Sequence, residues 1–427
     1  MACFINVMAI SLVVVGTLVS CQKELDIDRD DNIEPFALLC RIYNVVKNPP
    51  INYVDLQEPV EIVKEIDALN TSLVEPNFLN ETEQLGNSWE PKLNSAAIKG
   101  TAISKASLNQ IAQSAHTILE EIKKMNITEN IEKAKAYFSQ VIFGDGGNES
   151  NLCHTTVKDM DNRSVACGIP GEERKGDRAG KNLVVDFFCL CAMRTESSEG
   201  AKQACGFFVG KIDKYYGWSE QGPWGSSTMW ASIKGGCGKH MHQRPKSTTE
   251  ARHILDQFLK HLKTGGVYRS VDSGGKTVEY SDRKAGMLGT GVGKENVNGK
   301  DILCNGKKGG KDQTPGGVCV YYGQDPNSWE GNILWLKLFQ TALAIVDAAN
   351  NQTAFIQRAL QKLQLLQHRA EYIYETMKVV GEIQNTERPP PSQSASGNLT
   401  AYNATRTRSY SYSHHPYLMP LWVLLLL

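Results

Sequence analysis

The chain lacks an excess of either charge: 46 Lys and Arg balance 46 Asp and Glu over 427 residues. With no net charge and no basic patch, nucleic acid is excluded as the main partner. No apolar run reaches the ~20 residues that a membrane-spanning helix needs. The Gly-x-Ser-x-Gly and His-Glu-x-x-His signatures are also missing. Gly289, Gly291 and Gly293 precede Lys294, but Leu288 and Glu295 occupy positions where a phosphate loop needs Gly and Ser or Thr. Gly274-Gly275-Lys276-Thr277 fails in the same way at Ser270. Both glycine groups read as mobile surface turns. His240 and His242 flank Met241 with no carboxylate placed to orient them. Trp218, Trp224 and Trp230, set among Gly and Ser, read as packing rather than as a sugar platform. Neither catalysis nor a cofactor is implied.

Cysteine is missing from the two long helical stretches and crowded between them. Of eleven cysteines, Cys153, Cys167, Cys189, Cys191, Cys205, Cys237, Cys304 and Cys319 lie between Gly144 and Trp329. An even set in one secreted segment reads as four disulfides, although eight cysteines allow on the order of a hundred pairings. Alternatively Cys40 joins the set and leaves an odd thiol unless Cys21 is retained. A zinc site on Cys189, Cys191 and Cys205 with His240 or His242 is the rival. The Cys-x-Cys pair lacks the usual ligand spacing, and an oxidising compartment favours disulfides.

Proline is absent from Asn332 to Gln384, which carries the strongest periodicity in the chain. Trp335, Leu338, Ala342, Ile345, Ala349, Gln352, Ile356, Ala359, Leu363, Leu366, Ala370, Ile373, Met377 and Val380 alternate spacings of three and four. That is a heptad seam, polar only at Gln352, where packing should loosen. At ~1.5 Å per residue the helix runs roughly 75–80 Å. Leu334, Phe339, Val346 and Leu360 lie beside the seam and could pack a third helix or a sister subunit. Lys92 to Phe143 is a second leg, with a seam through Leu108, Ile111, Ala115, Ile118, Ile122 and Met125. It restarts through Ile131, Ala134, Phe138 and Val141, with Asn126 as the N-cap of the new helix. Shorter helices are expected at 35–47 and 56–74, and at Thr249 to Lys263. Leu183 to Phe188 and Val318 to Tyr322 read as strands. The expected fold is mainly α: an elongated coiled-coil hairpin or bundle, with a disulfide-rich, partly β lobe (144–329) inserted at its distal end.

The chain ends read as processing signals. Phe4 to Val19 is an apolar run followed by Ser20 and Cys21, as in a secretory leader over residues 1–21, though without a basic start. Leu18-Val19-Ser20-Cys21 also resembles a bacterial lipoprotein box. The other end favours a different anchor: Asn403-Ala404-Thr405, an eleven-residue spacer, then the apolar tail Tyr417–Leu427. This fits a glycosylphosphatidylinositol (GPI) attachment signal at Asn403, with 404–427 removed and Pro/Ser-rich residues 389–403 as a tether. Asn70, Asn80, Asn126, Asn148, Asn162, Asn351 and Asn398 are glycosylation candidates. Asn351 falls at a c position, pointing away from the seam.

Together these features resemble the variant surface glycoproteins of African trypanosomes, specifically the B-type N-terminal domain. Leu39-Cys40-Arg41-Ile42-Tyr43-Asn44, Cys189-Leu190-Cys191-Ala192, the two long helices and the C-terminal lipid signal carry the likeness. The resemblance implies one surface-glycoprotein domain over 22–388, with its main helices at 35–47, 56–74, 92–143 and 332–385. It implies a coat protein held by a lipid in the outer leaflet of the plasma membrane. Its expected partners are host antibodies and further copies of itself, as a homo-oligomer. Its sequence would be exchanged to evade immunity. Many members add a small disulfide-rich domain before the anchor; here a Pro/Ser tether stands there. A nutrient receptor for a host protein or haem on the same scaffold is the alternative.

Overall fold

The computed structural model describes residues 26–72, 91–195, 198–219, 221–240, 243–270, 280–293, 301–309 and 315–386. The N-terminal leader, the Asn80 loop and everything beyond Thr386, including Asn398 and Asn403, lie outside these residues. Ten helices are described: α1 (Ile33–Lys47), α2 (Glu58–Ser72), α3 (Pro91–Lys123), α4 (Ile127–Phe143), α5 (Arg163–Cys167), α6 (Leu183–Cys191), α7 (Ser226–Cys237), α8 (Thr248–Thr264), α9 (Trp329–Asn332) and α10 (Leu334–Thr386). The strands are β1 (Gly168–Ile169), β2 (Arg174–Lys175), β3 (Gly217–Ser219), β4 (Gly222–Trp224), β5 (Gly266–Ser270), β6 (Tyr280–Lys284), β7 (Met287–Val292) and β8 (Gly316–Tyr321). The compact unit ends at Ile373; beyond it, Tyr374–Thr386 continues α10.

The seam of α10 follows sequence at every second position and departs from it at the others. Trp335, Ala342, Ala349, Ile356, Leu363 and Ala370 are buried as the heptad requires. Between them Phe339, Val346 and Thr353 are buried, each one residue after the expected Leu338, Ile345 and Gln352, and Leu336, Leu343 and Leu360 widen the stripe. Ala359 is buried as well. The packing does not loosen at Gln352. Thr353 and Ile356 are almost wholly enclosed, and Gln352 Oε1 accepts from Asn130 Nδ2 at 3.1 Å. The reason lies in the neighbours. The helix meets not one partner leg but several segments in turn, so its buried stripe is wider than a two-stranded coiled-coil seam.

Those neighbours can be read from the contacts. Phe258 of α8 packs on Trp335 at 5.0 Å between ring centroids. Arg252 of α8 pairs with Asp347. Phe138 of α4 meets Phe339 at 6.0 Å. Lower down, Gln364 donates to Glu58 at 3.1 Å and Gln367 reaches Glu65, both on α2. Helix α2 lies against α3, where His116 and Asp67 are 3.0 Å apart. The second leg breaks between Lys123 and Ile127, and Asn126 takes the N-cap position with no side-chain bond to the helix.

Helix α1 is buried on nearly every side, because ten of its fifteen residues are buried. It contacts α4, α6, α7 and α8, and so forms the centre of the head. Beside it the four-stranded sheet has the order β6-β5-β7-β8; β5 and β7 run parallel and the other pairs antiparallel. To leave β6 and reach the far side of β5, the chain crosses the start of β5 at Ala285–Gly286. Gly265 lies under that crossing, where a Cβ would meet the Lys284 carbonyl oxygen at 2.3 Å.

Two local expectations are corrected here. Leu183–Phe188 is not a strand but the first two-thirds of α6, whose nine residues are all buried. A continuous apolar run has no period to separate a core helix from a core strand. Asn182 decides the matter by accepting from the Val185 N–H at 2.9 Å as an N-cap. Gly289 and Gly291 are not surface turns either. They sit in β7, paired with Cys319 and Gly317 of β8. Gly289 has φ +103°, and a Cβ there would meet Val318 O at 2.5 Å and Leu190 Cδ1 at 2.8 Å, so the glycine lets α6 settle on the sheet.

Candidate functional site: a disulfide-braced head with sequons on its exterior

Four disulfides brace the head: Cys40–Cys237, Cys167–Cys189, Cys191–Cys205 and Cys304–Cys319. The expectation that the eight clustered cysteines pair among themselves is overturned. Cys40 comes in from α1 to join α7, and Cys153 is left as the free thiol, 2.8 Å from Ser226 Oγ. The zinc alternative falls with it, because Cys189, Cys191 and Cys205 are all oxidised. The geometry of α6 explains why a Cys-x-Cys pair here serves two bridges. At ~100° per residue the two side chains leave the helix roughly 200° apart. One therefore reaches α5 and the other the loop at Cys205. Among the described residues no group of three or more His, Cys, Asp and Glu could hold a metal.

The two short motifs singled out in the sequence each do identifiable work. Besides Cys40, Arg41 Nη1 donates to Gln257 Oε1 of α8 at 2.7 Å. Tyr43 packs edge-on against Trp230 at 5.4 Å. Asn44 Nδ2 donates to the Gln243 carbonyl at 2.6 Å. In the second motif, Leu190 O accepts from Asn32 Nδ2 at 2.8 Å and Ala192 O accepts from Arg163 Nη1 at 2.8 Å. Trp218 and Trp230 are buried in the head, whereas Trp224 is half exposed.

Three buried polar side chains, none of them evident in the sequence, join the pieces. Asn32 uses its amide fully: Nδ2 donates to Leu190 O and Val318 O, and Oδ1 accepts from Thr290 Oγ1 at 2.9 Å. Asp186 accepts at Oδ1 from the Gly180 N–H at 2.8 Å. Its Oδ2 accepts from Tyr322 at 2.8 Å and from the Trp335 indole at 2.6 Å. Burial pushes its carboxyl up to about 6, and those three hydrogen bonds hold it back from going further. Arg163 donates to the carbonyls of Phe188, Cys189 and Ala192 at the C-terminal end of α6. There the helix dipole favours a cation, and the Trp218 ring lies 5.1 Å beneath the guanidinium. Burial, with Arg194 nearby, brings the Arg163 pKa down to about 9, so it stays charged at neutral pH. These partners lie up to 286 residues apart in sequence. No local spacing could have disclosed them.

Among the described residues, the sequons fall on the exterior. Asn126, Asn148, Asn162 and Asn351 are exposed and Asn70 is half-buried on α2. Asn148 and Asn162 use only their Oδ1 atoms, to cap Ser150 N and Val165 N, so each amide nitrogen stays outside the cap. At the Asn351 sequon the third residue turns inward: Thr353 is 1% exposed and its hydroxyl donates to Asn52 O at 3.0 Å.

A family model described as the trypanosomal VSG domain matches residues 14–102 and 86–365. Variant surface glycoprotein YnAT 1.3 of Trypanosoma congolense is 25% identical over 212 residues, 49% of this chain and 44% of the relative. The matched stretch is therefore less than half of that relative's length. The family match spans the braced head, the second leg and most of α10. The chain belongs to the trypanosomal VSG domain family, the domain of the variant surface glycoproteins.

Proposed function

We propose that this protein is a GPI-anchored variant surface glycoprotein of the protective cell coat, exchanged among variants to evade host antibodies, and that it is not an enzyme. Family membership carries the reading. The exposed sequons at Asn126, Asn148, Asn162 and Asn351 support it, because a secreted exterior is where glycans are tolerated. So does the division of labour in the core. The fixed points are buried clamps and disulfides, which leave the solvent-facing residues free to vary at little cost in stability. The anchor is assigned to Asn403. A homo-oligomer is assigned from exposed Leu365 and Tyr372, seven residues apart on α10, which a second helix would cover.

Treating intact cells with a phosphatidylinositol-specific phospholipase C tests the anchor. Release of the protein with a C-terminal peptide ending at Asn403 is the expected result. Retention through a lipid on Cys21 would overturn it. A protein found as a minor, invariant surface component would instead favour the nutrient-receptor alternative. Sedimentation of the released protein at the mass of a single chain would remove the oligomer.

A further inference from the structure

Among the described residues, a cleft in the head is lined by cations, in a chain with no net charge. It has a volume of about 680 Å³ and opens between the end of α1, the segment after it, α4 and the irregular segment leading into α8. Lys47, Lys135, Arg244 and Lys246 line it, and no Asp or Glu does. Lys135 is paired with Glu132 on its own helix at 2.8 Å. Among the described residues, Lys47, Arg244 and Lys246 have no carboxylate within salt-bridge distance. Below the cations the floor is apolar: Pro50, Phe138 and Ile142 are buried there, and Tyr53, 67% exposed, stands at the rim.

The walls are pinned by hydrogen bonds. Asn44 Nδ2 holds the Gln243 carbonyl at 2.6 Å and so fixes the segment carrying Arg244 and Lys246. The Lys246 N–H donates to Glu250 Oε2 at 2.5 Å, which ties that carboxylate to backbone rather than to the lysine ammonium. On the opposite wall, Asn350 accepts from the Asn52 N–H at 2.8 Å and donates to Pro50 O at 2.9 Å. The backbone on both sides of the cleft is thus fixed, and the four cationic side chains stand exposed around its mouth. Like charges around a concave surface focus a positive potential into it, which an anion relieves. The volume lies within the ~300–1,000 Å³ of small-molecule sites, and the apolar floor asks for more than an inorganic ion.

We propose that this cleft binds a small organic anion, with an apolar or aromatic body against Phe138 and Ile142 and its acidic groups at Lys47, Arg244 and Lys246. The test is calorimetric titration of the folded chain with 1,5-naphthalenedisulfonate, against inorganic sulfate and low-molecular-weight heparin. Binding at one site per chain is expected. It should weaken about tenfold or more in Lys47→Gln/Arg244→Gln, and on raising the salt from about 0.05 to 0.5 M, where screening shortens to a few ångströms. Lys260→Gln, exposed on α8 and outside the cleft, should bind like wild type, and unchanged thermal unfolding of the double variant shows that it folds. The proposal is overturned by absence of binding or by equal affinity in the double variant. Sulfate bound as tightly as the naphthalene compound, or heparin bound in its place, would overturn it as well.

Discussion

The indole N–H of Trp335 donates to Asp186 Oδ2 at 2.6 Å, joining the first turn of α10 to the middle of α6 across 149 residues of sequence. The same oxygen accepts from Tyr322, the residue that follows β8, so one carboxylate gathers a helix start, a helix interior and a strand end. Removing it strands three buried donors. Asp186→Ala should lower the unfolding free energy by about 3 kcal/mol, even though it also removes a buried charge. Urea unfolding checks this, and a loss below about 1 kcal/mol would mean that the three elements are held together by other contacts.

The same carboxyl gives the head a pH signature. Its folded pKa is raised to about 6 from the ordinary 3.8, so between these values the folded state binds a proton that the unfolded state releases. The associated stability is present in full below about pH 4 and is lost as the pH rises through about 6, at up to ~1.4 kcal/mol per unit. Other carboxylates titrate in the same range, so the comparison must be with Asp186→Asn. The wild-type advantage over that variant should grow from pH 6.5 to pH 4. An advantage that is flat or shrinks on acidification contradicts the assignment.

Periodicity disclosed the large elements and little of what joins them. The alternating spacing from Trp335 to Ala370 and the phase break at Asn126 were plain, because a long amphipathic helix repeats its burial many times. The true stripe through Phe339, Val346 and Thr353 was displaced by one residue, because α8, α4 and α2 approach α10 from more than one side. The nine buried residues of α6 offered no alternation to read. Cys40–Cys237 spans 197 residues, so its pairing belongs to tertiary structure alone. Asn32, Asp186 and Arg163 were invisible because their partners are mostly backbone groups, and every residue has those.

The Cys40–Cys237 bridge closes by far the longest loop of the four, against 22, 14 and 15 residues for the others. Chain entropy makes it worth about 5 kcal/mol at most, and less because the other bridges already shorten the loop. Cys40→Ala/Cys237→Ala should cost about 3 kcal/mol, more than Cys191→Ala/Cys205→Ala. Alkylation of the native protein followed by a non-reducing peptide map should find label on Cys153 and the four bridges intact. Label on Cys40 or Cys237 in place of Cys153 would overturn the pairing.

Gly289 is a strand residue that no other type can replace. At φ +103° any side chain is strained, and its Cβ would have to enter the space held by Val318 O and Leu190 Cδ1. Gly289→Ala should destabilise by about 3 kcal/mol or more and separate α6 from the sheet. Gly235, around whose Cβ position there is open space on α7, is the control: Gly235→Ala should be neutral or slightly stabilising. Equal unfolding midpoints for the two variants would contradict the close approach of α6.

At the Asn351 sequon the acceptor and the hydroxyl residue face opposite ways, which allows their roles to be separated. Asn351 is exposed on α10, so Asn351→Gln removes any glycan while leaving stability within about 0.5 kcal/mol. Thr353→Val also destroys the sequon and nearly preserves the side-chain shape. It leaves the carbonyl of Asn52 without the donor that the enclosed Thr353 supplies at 3.0 Å, in a bond that is itself part-buried. That variant should lose about 1–2 kcal/mol. If the two variants lose stability equally, the loss comes from the glycan. If only Thr353→Val does, the hydroxyl is a fastener between α10 and the segment that follows α1, and the sequon there coincides with a structural threonine.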